Sequence, residues 1–478
     1  MTVAAPLTTD PLVTTHGKDS MPSPTASHPD PAFPVAHPRP ARGWLNDPNG
    51  LCRVDGVWHV FFQHNPHSAR HDRIHWGHLS SPDLVDWTEE PVALVPSTDG
   101  PDRDGCWSGV MGFDDDGAPV AVYSGVQGIE NASEVTLARG SADLREWSAE
   151  RHVAAGMPED DRVIGVRDPF LVRIAGRRWA LQGAGLADGQ AAVLLYDAED
   201  LDRWTYHGVW LSSGQAPAAV DADIWECPQL VRLTGTETWA LVVSRWHRRP
   251  DGGHELGDTQ ALLLEIEDAA PADAAPHGAP TTVPTPRIVG TSAVDDGPSF
   301  YAPQVLAEPD RALMIGWARE RRAQELSDAA GWSGLLTWPR ELTLQDGALV
   351  SRPAPECEGW REGPAHRADD DVVVLPDACD VVVEPHGSTG SPAVVTLRMP
   401  TSPLTGSETG SDTGSETAET VYSGPASRIV IDRSIIEVYR EDGPARTVRA
   451  EPAPGQQWQL IPQGAAVTWW ALRPWSPA

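Results

Sequence analysis

The chain has 478 residues, 40% of them hydrophobic, which suffices for one large core or a large unit beside a smaller one. A formal charge of −32, from 68 acidic against 36 basic residues, would repel phosphates and anionic lipid, which argues against nucleic acid or a membrane surface as partner. Five scattered cysteines with no C-x-x-C pair exclude a disulfide framework and give no sign of a zinc or redox centre.

Residues 1–38 have neither a basic start nor an apolar stretch of signal-peptide length, so they are expected to be a flexible tail and the location cytoplasmic. No run reaches the roughly 18 apolar residues that span a bilayer. From 39 to 353, short apolar or alternating stretches are broken by Gly, Asp, Asn and Pro. Strands are predicted within 55–66, 118–126, 177–185, 238–246 and 311–319. Three segments, SSPDLVDWTEE (80–90), GSADLREWSAE (140–150) and DAEDLDRWTYH (197–207), each set a Trp three residues after a Leu, at Trp87, Trp147 and Trp204. Read as a repeat of about 60 residues rather than a chance likeness of loops, they predict a five-bladed β-propeller. A Pro/Ala/Thr-rich stretch at 268–287 reads as a surface excursion. A linker is expected over 354–365, then a β-sandwich over 366–478 with strands near 371–385, 393–399, 428–440 and 455–461. Within it, 401–420 is low in complexity and is expected to be a loop. The fold class is therefore all-β.

With 68 acidic residues, only context can single out a reactive carboxylate. Asp47 lies in GWLNDPNG (43–50), which is turn chemistry: Pro48 sets one φ and Gly50 permits a left-handed position. A structural Asx-turn and a functional role both fit it. Asp168 lies in VRDPF (166–170), where Pro169 favours an extended backbone and Arg167 could keep the carboxylate ionised. A surface ion pair fits it equally. Glu226, between Trp225 and Cys227 in DADIWECPQL (221–230), stands where apolar neighbours could withdraw water and raise its pKa, as a general acid needs. The alternative is a solvated edge-strand residue. Twenty Trp, including Trp44, Trp107, Trp246 and Trp317, could supply flat faces for sugar rings or simply pack between blades. His64, His75 and His78 lack strong ligand spacing, so neither a metal nor any cofactor is expected.

The ordered motifs WLNDPNG (44–50), FFQHNP (61–66), HWGHLSSPDLVDW (75–87), CWSG (106–109), VRDPF (166–170), WECPQL (225–230), FYAPQ (300–304), GLLTWPREL (334–342) and IDRSIIEVY (431–439) resemble glycoside hydrolase family 32, the invertase and fructanase group. The resemblance implies a five-bladed propeller followed by a C-terminal sandwich, acting on a small-molecule carbohydrate. It implies Asp47 as nucleophile, Glu226 as general acid/base and Asp168 as transition-state stabiliser, with Asn46, Gln63, Trp76, Trp107, Ser108 and Arg167 around the fructosyl unit. The expected activity is retaining release of terminal β-fructofuranosyl units from sucrose or short fructo-oligosaccharides. Sucrose 6-phosphate hydrolysis, exo-fructanase action, fructosyl transfer and a non-catalytic binding propeller are the alternatives. One departure stands out: the family commonly has Asp just before Phe-Tyr-Ala, where this chain has Ser299 with Asp295 and Asp296 upstream.

Overall fold

A computed structural model describes residues 28–128, 133–267, 283–386, 393–400, 418–451 and 457–475. Five sheets, antiparallel except for one strand pair in the first, follow one another in the chain. Their innermost strands are Gly43–Val54, Gly105–Phe113, Val163–Ile174, Ile224–Arg232 and Phe300–Ala307, and each touches the next in a closed cycle. This is a five-bladed propeller, numbered here as blades 1 to 5.

The five predicted stretches are all second strands of blades: Val57–Asn65, Pro119–Val126, Arg177–Leu186, Trp239–Arg248 and Ala312–Ala318. They read as near-continuous apolar runs because blades cover both of their faces. Two-residue loops such as Asp55-Gly56 and Asp346-Gly347 join neighbouring strands with positive φ at both positions, the twist that tight hairpins require. The Leu/Trp repeat marks one structural feature, the turn from third to fourth strand in blades 1 to 3. There the indole N–H of Trp87, Trp147 and Trp204 donates to the carbonyl of Leu84, Leu144 and Leu201, at 3.1 Å each time.

The ring closes where Gly43–Val54 pairs in parallel with Trp332–Ser333. Arg39, wholly buried, donates to the carbonyls of Gly43 and Gly334 and lies over the Trp332 ring, joining the two ends of the circle. Gly334 has φ 73°, and a Cβ there would meet the Leu45 carbonyl at 1.9 Å, so no other residue fits the seam.

The C-terminal unit is a sandwich of a six-stranded and a four-stranded sheet, with Val381, Val395, Leu397, Ile431, Trp458 and Leu460 between them. Its contact with the propeller is charged and buried. Glu437 accepts from Arg340 at 2.9 Å, from the Trp338 backbone at 2.9 Å and from His37 at 3.1 Å. Arg340 also pairs with Asp295 at 2.7 Å. The Asp432 carboxylate takes the backbone N–H groups of Val35, Ala36 and His37 together with the His37 ring. Burial alone would depress the His37 pKa, but the two carboxylates outweigh it and raise the pKa.

Four stretches differ from expectation at their boundaries. Residues 28–38 are not tail: Phe33, Ala36 and His37 are fully buried as a strap across both units; residues 1–27 of that call lie outside the described part. The 354–365 linker is a 3₁₀ turn, Pro355–Trp360, with Cys357 and Trp360 buried, leading into the sandwich strand Arg361–Asp369. Of the 401–420 loop, residues 401–417 lie outside the described part, and the strand Ala418–Pro425 takes up the rest. Most of the 268–287 excursion is likewise outside, and Thr285–Asp295 is the outer strand of blade 4. No helix among the described residues is long and apolar enough to cross a membrane.

Replacing Glu437 with Ala takes one of two carboxylate partners from each of the buried Arg340 and His37, and should lower the unfolding free energy by about 3–5 kcal/mol. Chemical denaturation of wild type and variant measures it.

Candidate active site

All five inner strands break register with their neighbours at the same level: between Leu45 and Pro48, Cys106 and Gly109, Arg167 and Pro169, Glu226 and Gln229, and Tyr301 and Gln304. A bulge re-aims side chains and frees backbone groups. Four of the five carry a proline here, where the interrupted ladder needs no N–H donor. Blade 2 has Gly109 instead, because a Cβ there would meet the Val122 carbonyl at 2.1 Å. Asp168, Cys227 and Ala302 adopt positive φ (56°, 47° and 45°), and their backbone N–H groups are taken by Ser124 (2.7 Å), the Asp168 carboxylate (2.9 Å) and Ser244 (2.9 Å). Strain at each bulge is thus tied to a hydrogen bond from the neighbouring blade or strand.

The bulges converge on a cavity of about 400 Å³ on the propeller axis, lined by Trp44, Asn46, Asp47, Gln63, His71, Trp107, Arg167, Asp168, Glu226, Trp246, His254, Leu256, Tyr301 and Trp317. At its floor Asp47 accepts from Ser108 (2.6 Å) and Gln63 (3.1 Å) on one oxygen and from Asn46 (3.2 Å) on the other. Trp44 in turn holds Asn46 through its indole N–H at 2.9 Å. The Cys227 thiol lies beneath, 3.6 Å from Asp47 and 3.5 Å from Asp168. Higher up, Glu226 accepts from Arg167 at 2.8 Å and from the Tyr301 hydroxyl at 2.9 Å.

The electrostatics differ from the sequence expectation in two respects. The aspartates are the more deeply buried, Asp47 at 9% and Asp168 at 6% exposure, while the Glu226 side chain keeps 13% and Trp225 points into the blade core. Burial pushes the Asp47 carboxyl up to about 7; the Ser108 hydrogen bond opposes this and the charges of Asp168 and Glu226 add to it. Asp168 is pushed up to about 6 by burial and by Glu226, which together outweigh the opposing charge of Arg167 and the Cys227 N–H. The trio resists carrying three full charges in one small cavity.

Of the nine residues singled out in the sequence, seven line this cavity. Two stand behind it. Trp76 is wholly buried and supports the Trp107 carbonyl through its indole N–H at 3.0 Å, so it shapes the wall and does not meet a ligand. Ser108, 1% exposed, serves Asp47 directly. His71, His254, Leu256 and Tyr301 were not singled out; only the FYAPQ motif pointed near one of them. Ser299 faces away from the cavity and accepts from the Arg449 backbone at 3.1 Å, while Asp295 and Asp296 serve the sandwich contact. His64, His75 and His78 turn to separate partners, Trp44, Arg73 and His59.

Carboxylates gathered with aromatic rings in the mouth of a propeller define a glycosidase architecture. The particular family is also plain. The description "Glycosyl hydrolases family 32 N-terminal domain" fits residues 37–353, and the chain belongs to that family. It is 34% identical over 333 residues to a raffinose invertase of Escherichia coli, covering 69% of this chain and 66% of that one. It is 31% identical over 464 residues to a sucrose-6-phosphate hydrolase of Klebsiella pneumoniae, covering 93% and 94%. Among solved structures, a Bombyx mori β-fructofuranosidase in complex with sucrose shares the fold with a TM-score of 0.73 at 21% identity, covering 94% of this chain and 96% of that one.

Asp47 holds a proton more tightly folded than unfolded, so its stabilising contribution is full below about pH 4 and is lost as pH rises through about 7. Asp47→Asn removes the buried charge. It should raise the melting temperature little at pH 4 and clearly at pH 8, as thermal unfolding at both pH values would show.

Proposed function

We propose that the protein is a retaining β-fructofuranosidase that releases terminal β-D-fructofuranosyl units from sucrose or short fructo-oligosaccharides. The observation that carries this reading is the different treatment of two carboxylates facing one cavity. Asp47 is held on both oxygens by the neutral donors Ser108, Gln63 and Asn46, whereas Glu226 is held by the Arg167 guanidinium and the Tyr301 hydroxyl. The first arrangement suits a nucleophile that must not rotate; the second suits a group that exchanges a proton with a leaving oxygen.

In this mechanism Asp47 attacks the anomeric C2 while Glu226 protonates the glycosidic oxygen, and the bond between C2 and that oxygen breaks. The covalent fructosyl-enzyme is then attacked by water, which gives its proton to Glu226, and Asp47 leaves with the configuration retained. Asp168, fixed by the Cys227 N–H, hydrogen-bonds ring hydroxyls more strongly as charge develops. A cytoplasmic location accords with five cysteines that are all buried and unpaired.

Glu226→Gln should lower kcat on sucrose by about 10²–10⁴-fold, and Asp47→Asn should abolish detectable turnover. NMR of the first product formed by wild type should show the β-anomer. Full activity in either variant, or an α-anomer from wild type, would overturn the assignment.

A further inference from the structure

Blade 2 presents Trp107 and Ser108 from a bulge that differs from the other four. Elsewhere the re-aimed pair is followed by proline, at Pro48, Pro169, Pro228 and Pro303, whose ring fixes φ. Blade 2 has Gly109 there, the residue type with the least restrained backbone. Its ladder is paired up to Cys106, opposite Gly125, and resumes at Gly109, opposite Tyr123. Between these points stand Trp107, in the cavity wall, and Ser108, which donates to Asp47 at 2.6 Å.

Behind this bulge lies a carboxylate outside the catalytic trio. Asp102 is fully buried in the turn that leads into the inner strand. Its Oδ2 accepts from the Cys106 thiol at 3.3 Å and from the Tyr123 hydroxyl at 2.6 Å. One oxygen thus joins the last paired residue before the bulge to the partner of the first paired residue after it. Arg151 balances the charge through Nε at 2.9 Å. Oδ1 takes the Ser97 hydroxyl and, at 3.1 Å, the Ser97 backbone N–H. Burial would raise the Asp102 pKa, but the Ser97, Tyr123 and Arg151 donors hold the carboxyl down at about 2, so it is an anion at neutral pH. The Tyr123 ring also lies 5.7 Å from that of Trp76, whose indole N–H supports the Trp107 carbonyl.

We infer that Asp102 is a positioning residue for the nucleophile: by clamping both ends of the blade 2 bulge it does there what proline does in the other blades, and fixes the Ser108 hydroxyl against Asp47. This assignment rests on Asp47 being the nucleophile of the fructofuranosidase reading above. Burial raises the Asp47 pKa and the Ser108 hydrogen bond opposes it; Asp168 and Glu226 add to the rise, and the Cys227 thiol opposes it. Loosening Ser108 therefore moves Asp47 further up. The ascending limb of kcat/KM against pH follows, because attack needs the carboxylate ionised. A direct effect of charge has the opposite sign. Removing the Asp102 anion while Arg151 stays would favour an ionised Asp47 and move the limb down.

The test is kcat/KM for sucrose against pH in wild type, Asp102→Asn, Tyr123→Phe and Ser108→Ala, with Glu437→Ala as a variant destabilised at the sandwich contact. Asp102→Asn should lower kcat/KM at the optimum about tenfold, the worth of one hydrogen bond, mainly through kcat. Its ascending limb should move up, in the same direction as that of Ser108→Ala. Tyr123→Phe changes no charge and removes one tie, so its limb should move the same way by less. Glu437→Ala should keep the wild-type limb. A limb that stays or moves down in Asp102→Asn overturns this assignment alone, as does an unmoved limb in Ser108→Ala. Should Asp102→Asn fail to fold, Tyr123→Phe decides: an upward limb supports the clamp and an unmoved one overturns it. Wild type that releases no fructose from sucrose overturns the fructofuranosidase reading and this assignment together.

Discussion

The site depends on one backbone constraint: every inner strand of the ring gives up its ladder at the same height. A regular inner strand would alternate its side chains between neighbouring blades and offer the axis only backbone. The bulge breaks that alternation once per blade, so two successive residues are re-aimed. One of the pair reaches the wall, as Asn46, Trp107, Arg167, Glu226 and Tyr301 do. Its successor, in Asp47, Ser108, Asp168 and Cys227, serves the floor. Proline follows in four blades because no N–H is needed there. The motifs N-D-P, R-D-P, E-C-P and Y-A-P are therefore one structural device carrying different chemistry in each blade.

Charge is arranged by the same geometry. The floor buries two aspartates near a glutamate, an arrangement that raises Asp47 and Asp168 above the ordinary carboxylate range. Such a cluster is costly to fold and is tolerated because surrounding donors hold it: Ser108, Gln63 and Asn46 on Asp47, the Cys227 N–H on Asp168, Arg167 and Tyr301 on Glu226. Arg167 shows how adjacency in sequence misleads. It follows Val166 into the cavity beside Asp168, yet it also donates to Glu226, 59 residues away and one blade over.

The sandwich acts on the propeller from behind. Two of the recognisable motifs, GLLTWPREL and IDRSIIEVY, meet one another there: Arg340 and the Trp338 backbone both bond Glu437. The strap at 33–37 completes the contact through Asp432. Since Arg39 and Trp332 sit at the ring's seam a few residues from that strap, the buried ion network braces the place where the circle closes. Ser299, which departs from the family pattern, belongs to this contact and not to the cavity.

The sequence by itself determines the strands, the number of blades and the three carboxylates. Apolar runs covered on both faces, turn residues and an indole repeating after Leu are local signals, and bulge-with-proline motifs are local too. Only the tertiary structure decides how deeply each carboxylate is buried, that Arg167 reaches Glu226 and that Trp76 stands behind the wall. It also moves residues 28–38 from tail to strap. Those outcomes depend on which blade faces which, a matter of distances between residues far apart in the chain. Asp47 and Glu226 can be picked out from their neighbours in sequence; their unequal settings come from Ser108, Gln63, Arg167 and Tyr301, brought to them by the closure of the ring.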